Sequence, residues 1–204
     1  LVLGQEDLEE EHVLARRGAA DNVGVEILRI VRAVEDLAIS AGEDIRGAQP
    51  SPGNMTGGLT TIEEKSLGCI HKGGTREVNA AYDYAERVQC AGLSIMDTTG
   101  DDIRSVSGMV AGGAQIVLFS TGRGTPAGCA IAPVIKISSN SRAYENMRDC
   151  IDINAGTVVE GSETIELVGE RIYDFMIKVA SGRRTKSEIL GQDDFAIDRL
   201  LPTI

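Results

Sequence analysis

From Gly92 onward the sequence repeats one pattern: a short apolar run, a polar loop, then an amphipathic segment. "LSIMD" leads through "TTGD" into "DIRSVSGMVAGG", "QIVLFS" runs into the loop "TGRGTPAG", and "APVIKIS" leads through "SNS" into "RAYENMRD". This alternation builds parallel strands, because a crossover segment must carry the chain back to the same end of a sheet. The apolar runs do not alternate with polar residues, as expected of strands covered on both faces. The pattern therefore predicts an α/β fold.

Helical periodicity is clearest in two places. "DNVGVEILRIVRAVEDLAISAG" carries apolar residues at 27, 28, 30, 31, 34, 37, 38 and 41, with Asp21 or Asn22 as the expected N-cap and Gly42 as the C-cap. "SETIELVGERIYDFMIKVASG" places Ile165, Val168, Ile172, Phe175, Met176 and Val179 on one face, bounded by Ser162 and Gly182. "AYDYAERVQ" predicts a shorter helix, and "TTIEEKSLGC" one or two turns capped by Thr60 or Thr61. Pro50 and Pro52 resist regular helix just before it. "LVLG" at the N-terminus reads as a strand, and without a start methionine the chain reads as a piece of something longer. Neither an internal repeat nor a compositional domain boundary is visible.

Composition excludes several partners. Aromatic residues make up 3% of the chain and the net charge is -11, so neither base stacking nor a phosphate backbone suits it. No apolar run approaches the ~20 residues of a bilayer-spanning helix, so no membrane association is expected. Four cysteines at 69, 90, 129 and 150 fit neither a disulfide framework nor a zinc ribbon. Reduced thiols in the cytoplasm are expected.

A parallel sheet gathers its polar loops at the carboxyl ends of the strands, where ligands bind. Three loops meet that description: "MDTTGDD", "STGRGTP" and "SSNS". None is a nucleotide fingerprint, since "TGRGTPAG" lacks both the Walker lysine and the G-x-G-x-x-G spacing. Gly122 and Gly124 leave backbone N–H groups open to an anion, and Arg123 between them offers a fork for a carboxylate. Thr121 and Thr125 add hydroxyls. A turn with a solvent-facing arginine fits the same residues.

The stretch from Ser51 to Gly74 has the same character. Gly53, Gly57, Gly58, Gly73 and Gly74 permit close approach, while Asn54, Thr60, Thr61, Lys65 and Lys72 supply polar contacts. Leu59, Ile62, Leu67 and Ile70 would pack, so a flexible linker is the weaker reading. A lysine in such a site can transfer protons once burial lowers its pKa, although a surface charge is the commoner fate. Glu11 beside His12 offers carboxylate and imidazole to a divalent metal, and Cys69 with His71 offers a thiol and an imidazole. Either pair also occurs with no metal role.

Taken together, "PSPGNMTGGLTTIEEKSLGCIHKGG", "MDTTGDD", "SGMVAGGAQIVLFSTGRGTPAGCAIAPVIKISSN", "MRDCIDINAGTVVEG" and "EILG" resemble the altronate/galactarate dehydratase family of bacterial sugar-acid enzymes. The resemblance implies an α/β fold, a Rossmann-like parallel sheet flanked by helices. It implies dehydration of an aldonic or aldaric acid to a 2-keto-3-deoxy product in a likewise cytoplasmic homo-oligomer acting on a small sugar-acid substrate. A divalent metal is implied as cofactor, Fe2+ first and Mn2+ or Mg2+ as alternatives. In that chemistry Arg123 is the expected carboxylate clamp, and Lys65 and His12 are the acid/base candidates. Glu11, His12 and Glu64 are candidate metal ligands. Thr121, Gly122, Gly124, Thr125, Asn54, Gly57, Gly58, Thr60 and Thr61 would hold the polyhydroxy chain. Full-length members carry an N-terminal SAF-like domain and an upstream Cys-Gly-Gly-Ser-Asp segment, neither present here. Residues 1–204 are thus expected to be the C-terminal part of the catalytic domain. Cys129 stands where the family pattern leads one to expect asparagine. The sulfolactate sulfo-lyase large subunits share much of the motif set and are the second reading. A non-catalytic sugar-acid binding or oligomerisation module is the third.

Overall fold

A computed structural model describes residues 15–43, 50–56 and 58–196. The chain divides into two compact units, 1–99 and 100–204. The strand expected over "LVLG", and Glu11, His12 and Gly57, lie outside the described residues.

In the first unit, helix α1 (Asp21–Ala41) buries Val23, Ile27, Ile30 and Ala38. Its N-cap is Ala20, with no side-chain cap bond, rather than Asp21 or Asn22. Asp21 instead sits in the first turn, where its charge faces the positive end of the helix dipole. Gly42 ends the helix as expected, with a left-handed φ of 72°. A short helix α2 (Pro52–Thr56) starts on a proline, whose missing N–H is harmless in a first turn. Helix α3 (Ile62–Lys72) has 11 residues, longer than the one or two turns expected from sequence. Thr61 caps it by accepting a hydrogen bond from the Glu64 N–H at 3.2 Å. Thr61→Ala is expected to cost about 1 kcal/mol, readable as a shift in the urea midpoint without a change in slope.

Strands β1 (Val78–Tyr82) and β2 (Leu93–Met96) pair in parallel, with Tyr82 opposite Met96. The helix expected over "AYDYAERVQ" is therefore overturned. Ala81 and Tyr82 finish β1, and Ala85 takes a left-handed φ of 61°, which an α-helix does not allow. The buried Tyr82 hydroxyl accepts the backbone N–H groups of Gln89 and Cys90, at 3.0 and 3.2 Å, and ties the return toward β2. Burial of Val78 against Val23 and Ile27 outweighs a weak helical pattern.

The second unit begins with helix α4 (Asp102–Ala111), whose cap Asp101 accepts the Arg104 N–H. Strands β3 (Val117–Thr121), β4 (Val134–Ser138) and β5 (Ile153–Asn154) form a parallel sheet in the order β3-β4-β5. All five residues of the central β4 are buried. Val134 packs with Val106 of α4 and Val117, while Ile135 and Ile137 pack with Ile153 and helix α7 (Ile165–Ala180). Adjacent residues of a strand point to opposite faces, so both faces are covered. That is the architecture expected of apolar strands without alternation.

On α7, Val168 and Val179 are buried and Ile172, Phe175 and Met176 pack on the core, as the periodicity indicates. Ile165 does not, being 71% exposed, and the cap is Thr164 rather than Ser162. Short helices α5 (Ser141–Asn146), α6 (Gly156–Val159) and α8 (Lys186–Leu190) complete this unit. No described helix is long and apolar enough to cross a membrane.

Candidate functional site

The register of the second sheet sets one edge. Thr121 pairs with Ser138, and Ser138 pairs with Asn154, so the last residues of β3, β4 and β5 stand in a row. The chain leaves each strand there into a polar turn. After β4, the Ser138 hydroxyl donates to the Asn140 carbonyl at 2.8 Å, and Asn140 caps α5 through the Ala143 N–H. After β5, the Asn154 side chain accepts the Gly156 N–H at 2.9 Å and donates to the Ser141 hydroxyl at 3.1 Å. A Cβ on Gly156 would lie 2.3 Å from the Ser141 nitrogen, so only glycine lets these turns meet.

The loop after β3 is built around its glycines. Gly124 has a φ of +90°, and a Cβ there would lie 2.2 Å from the Met147 sulfur. Its N–H is accepted by the Thr121 hydroxyl at 3.0 Å, which closes the loop on itself. Gly122 has room, with Ser139 Oγ 3.5 Å from the place of a Cβ. Arg123 between them is exposed, and no described residue accepts a hydrogen bond from its guanidinium. Thr125 points inward instead: it is 4% exposed and its hydroxyl accepts the Ala127 N–H. Thr121 and Thr125 thus shape the loop, and Arg123 is what it presents.

The residues expected from Ser51–Gly74 belong to the first unit and form two local groups. Asn54 Oδ1 accepts from the Ser51 N–H and hydroxyl and from Lys65 Nζ, the last at 3.2 Å. Glu64 accepts the Thr60 N–H at 2.9 Å and the Thr60 hydroxyl at 2.8 Å. These bonds, the backbone one first, hold its carboxyl below the usual range. Gly58 has a φ of +106° with open space around it, and Ile70 is buried while Leu67 is 43% exposed. Lys65 meets Asn54, and Glu64 meets Thr60 and Thr61; Thr121 to Thr125 lie in the other unit.

For a metal, the described residues hold no group of three or more His, Cys, Asp or Glu side chains. Both Thr60 bonds go to Glu64 Oε2, so its other carboxylate oxygen is the one it would offer to a metal. Of the three expected ligands only Glu64 lies among the described residues.

Two residues escaped sequence reasoning. Asn154 is invisible in "IDIN", a two-residue strand with no periodicity to read. Lys136 is wholly buried in β4, with Nζ donating to the Pro126 carbonyl at 3.2 Å and to Gln192 Oε1 at 2.6 Å. Burial lowers its pKa, against the opposing pull of Cys150, Asp152 and Asp194. A lone lysine within "APVIKIS" was the available signal, because a charge in a fully apolar strand needs a buried partner.

The second unit is thus a parallel α/β structure whose strands end in polar turns and a glycine-framed arginine loop, an architecture that binds ligands at that edge. The chain belongs to the D-galactarate/altronate dehydratase family, whose C-terminal model matches residues 4–203. It is 36% identical over 178 residues to the altronate dehydratase of Bacillus subtilis, covering 87% of this chain and 35% of the relative. It is 36% identical over 173 residues to the galactarate dehydratase (L-threo-forming) of Escherichia coli, covering 85% and 33%. Against the (2R)-sulfolactate sulfo-lyase subunit beta of Chromohalobacter salexigens it is 34% identical over 192 residues, covering 93% and 49%. The chain spans about a third of the length of these dehydratases and about half of the sulfo-lyase subunit.

Proposed function

We propose that this chain serves a hydro-lyase that dehydrates an aldonic or aldaric acid of the altronate or galactarate type to a 2-keto-3-deoxy acid. The family match over residues 4–203 carries the reading. A base takes the proton from the carbon beside the carboxylate, and that electron pair forms a carbon–carbon double bond as the β-hydroxyl leaves. A general acid gives the departing hydroxyl its proton, water is released, and the enol tautomerises to the ketone.

Within this proposal Arg123 holds the substrate carboxylate and stabilises the charge that grows on it during proton removal. Lys65 and His12 are the acid/base candidates, and the Asn54 contact orients the Lys65 ammonium. The remaining loop positions accommodate the hydroxyls. A divalent ion, Fe2+ first and Mn2+ or Mg2+ next, belongs to the proposal with Glu11, His12 and Glu64 as donors. A cytoplasmic homo-oligomer is its expected setting.

The test is calorimetric titration of galactarate and altronate, run anaerobically with and without Fe2+ or Mn2+. It would use both this chain and the protein made from its complete gene. Arg123→Ala is expected to weaken binding at least ~30-fold, the effect of losing one partner of a charged hydrogen-bonded pair. The unfolding midpoint should stay put, because Arg123 is exposed. Unchanged affinity in that variant would remove Arg123 from the clamp. The coverage of the sulfo-lyase relative, 93% of this chain, favours a second reading in which sulfite leaves instead of water. Sulfite release from sulfolactate, with no keto product from either sugar acid, would select it.

A further inference from the structure

Residues 183–186 place three cations in four positions of a chain whose net charge is -11. Arg183, Arg184 and Lys186 line an open cavity of about 420 Å³ together with Asp152, Phe175 and Ile189. The carboxylates of Asp152, which lines the cavity, and of Glu188 are engaged by other donors. Asp152 accepts the backbone N–H groups of Lys136 and Lys186, both at 2.9 Å, and the Glu188 carboxylate accepts the Thr185 N–H and hydroxyl.

Other arginines of the described residues do find carboxylates, Arg29 with Glu26 and Asp83 among them. Arg148 meets Glu145 at 2.8 Å and Arg171 meets Glu163 at 2.7 Å. Among the described residues, no carboxylate pairs with Arg183, Arg184 or Lys186. Stacking places the Arg183 guanidinium 4.5 Å from the centre of the Phe175 ring, which leaves its edge free for hydrogen bonding. Arg184 gives one N–H to the Glu188 carbonyl and keeps the others. Lys186 donates to the carbonyls of Arg148 and Ile151, at 2.5 and 2.6 Å, and its ammonium lies 5.5 Å from the centre of the Tyr144 ring, so it adds charge to the cavity more than free donors.

The geometry points to a second anion site, separate from the Arg123 loop, that takes the phosphate of a small phosphomonoester. Three cations around one small cavity match a dianion concentrated on a single group, and arginine forks fit phosphate oxygens in pairs. Phe175 and the 64% exposed Ile189 supply a wall for an apolar organic body. A sugar-acid carboxylate carries one charge, against the roughly two that a phosphomonoester concentrates on one group.

The experiment is titration of the intact chain with phenyl phosphate, inorganic phosphate and succinate at low salt, followed by amide chemical shifts. Phenyl phosphate is expected to bind below ~1 mM, more tightly than succinate, with shifts centred on residues 183–189. The double variant Arg183→Glu/Arg184→Glu should weaken it at least ~10-fold, and Arg123→Ala should leave it unchanged. Both arginines are exposed, so far-UV dichroism is expected to show a folded variant; Arg183→Gln serves if it does not. No binding up to ~10 mM would overturn the proposal. So would equal affinity for succinate, indifference to the double variant, or loss of binding in Arg123→Ala.

Discussion

Lys136→Ala is expected to destabilise this protein by about 3–5 kcal/mol, measured by urea denaturation at neutral pH. The side chain is fully buried in the central strand, so truncation leaves a void among β-sheet residues that cannot all collapse into it. It also strips the hydrogen-bond donor from the Pro126 carbonyl and from Gln192 Oε1. A loss below ~0.5 kcal/mol, the range of an ordinary surface substitution, would mean that Lys136 is not buried as described.

The same residue has a pH signature. Burial lowers its folded-state pKa from the ordinary 10.5, so the unfolded chain holds this proton more tightly than the folded one. The cost of burying the ammonium is thus fully present at low pH. It is relieved as pH rises from the lowered folded pKa toward 10.5. The stability difference between the wild type and Lys136→Met should shift in favour of the wild type across that alkaline window. A flat difference would mean that Lys136 titrates alike in the folded and unfolded states.

Gly128→Ala is expected to cost about 3 kcal/mol at the same junction. A Cβ there would lie 1.9 Å from the Gln192 carbonyl oxygen and 2.8 Å from its carbon, both backbone atoms. The segment carrying Gln192 would have to move, and the Lys136 hydrogen bond to that residue would move with it. The two substitutions should therefore be non-additive, with the double variant losing at least ~0.5 kcal/mol less than the sum of the singles. Additive losses would mean that Gly128 and Lys136 act on separate parts of the loop.

Legibility followed the length and continuity of the pattern. β2, β3 and β4 fall on the three apolar runs, and α1 and α7 on the two long amphipathic segments. β1 was missed because its sequence, "VNAAY", has neither an apolar run nor a clean alternation; pairing with β2 and burial on α1 make it a strand. The caps of α1 and α7 each differ from the sequence reading, since several polar residues near a helix start can fill that role and backbone entry angle chooses among them. In the candidate loop, the tight turn was legible from Gly122 and Gly124, while the residues alone fit both a carboxylate-binding and a solvent-facing Arg123. The inward place of Thr125 was not legible, because a hydroxyl in a turn can face the loop or the solvent equally well.

By itself the sequence determined the kind of structure: apolar strands too continuous to tolerate an open face, joined by helices, ending in glycine-bearing polar loops. It also determined the family, because long motifs in order survive where single residues vary. Tertiary structure alone decided how Thr121, Ser138 and Asn154 line up, since register depends on pairing between segments far apart in sequence. It alone buried Lys136 against Pro126 and Gln192 and left Arg183 and Arg184 exposed beside a cavity. A charge's role is set by what surrounds it, and a one-dimensional pattern does not record those surroundings.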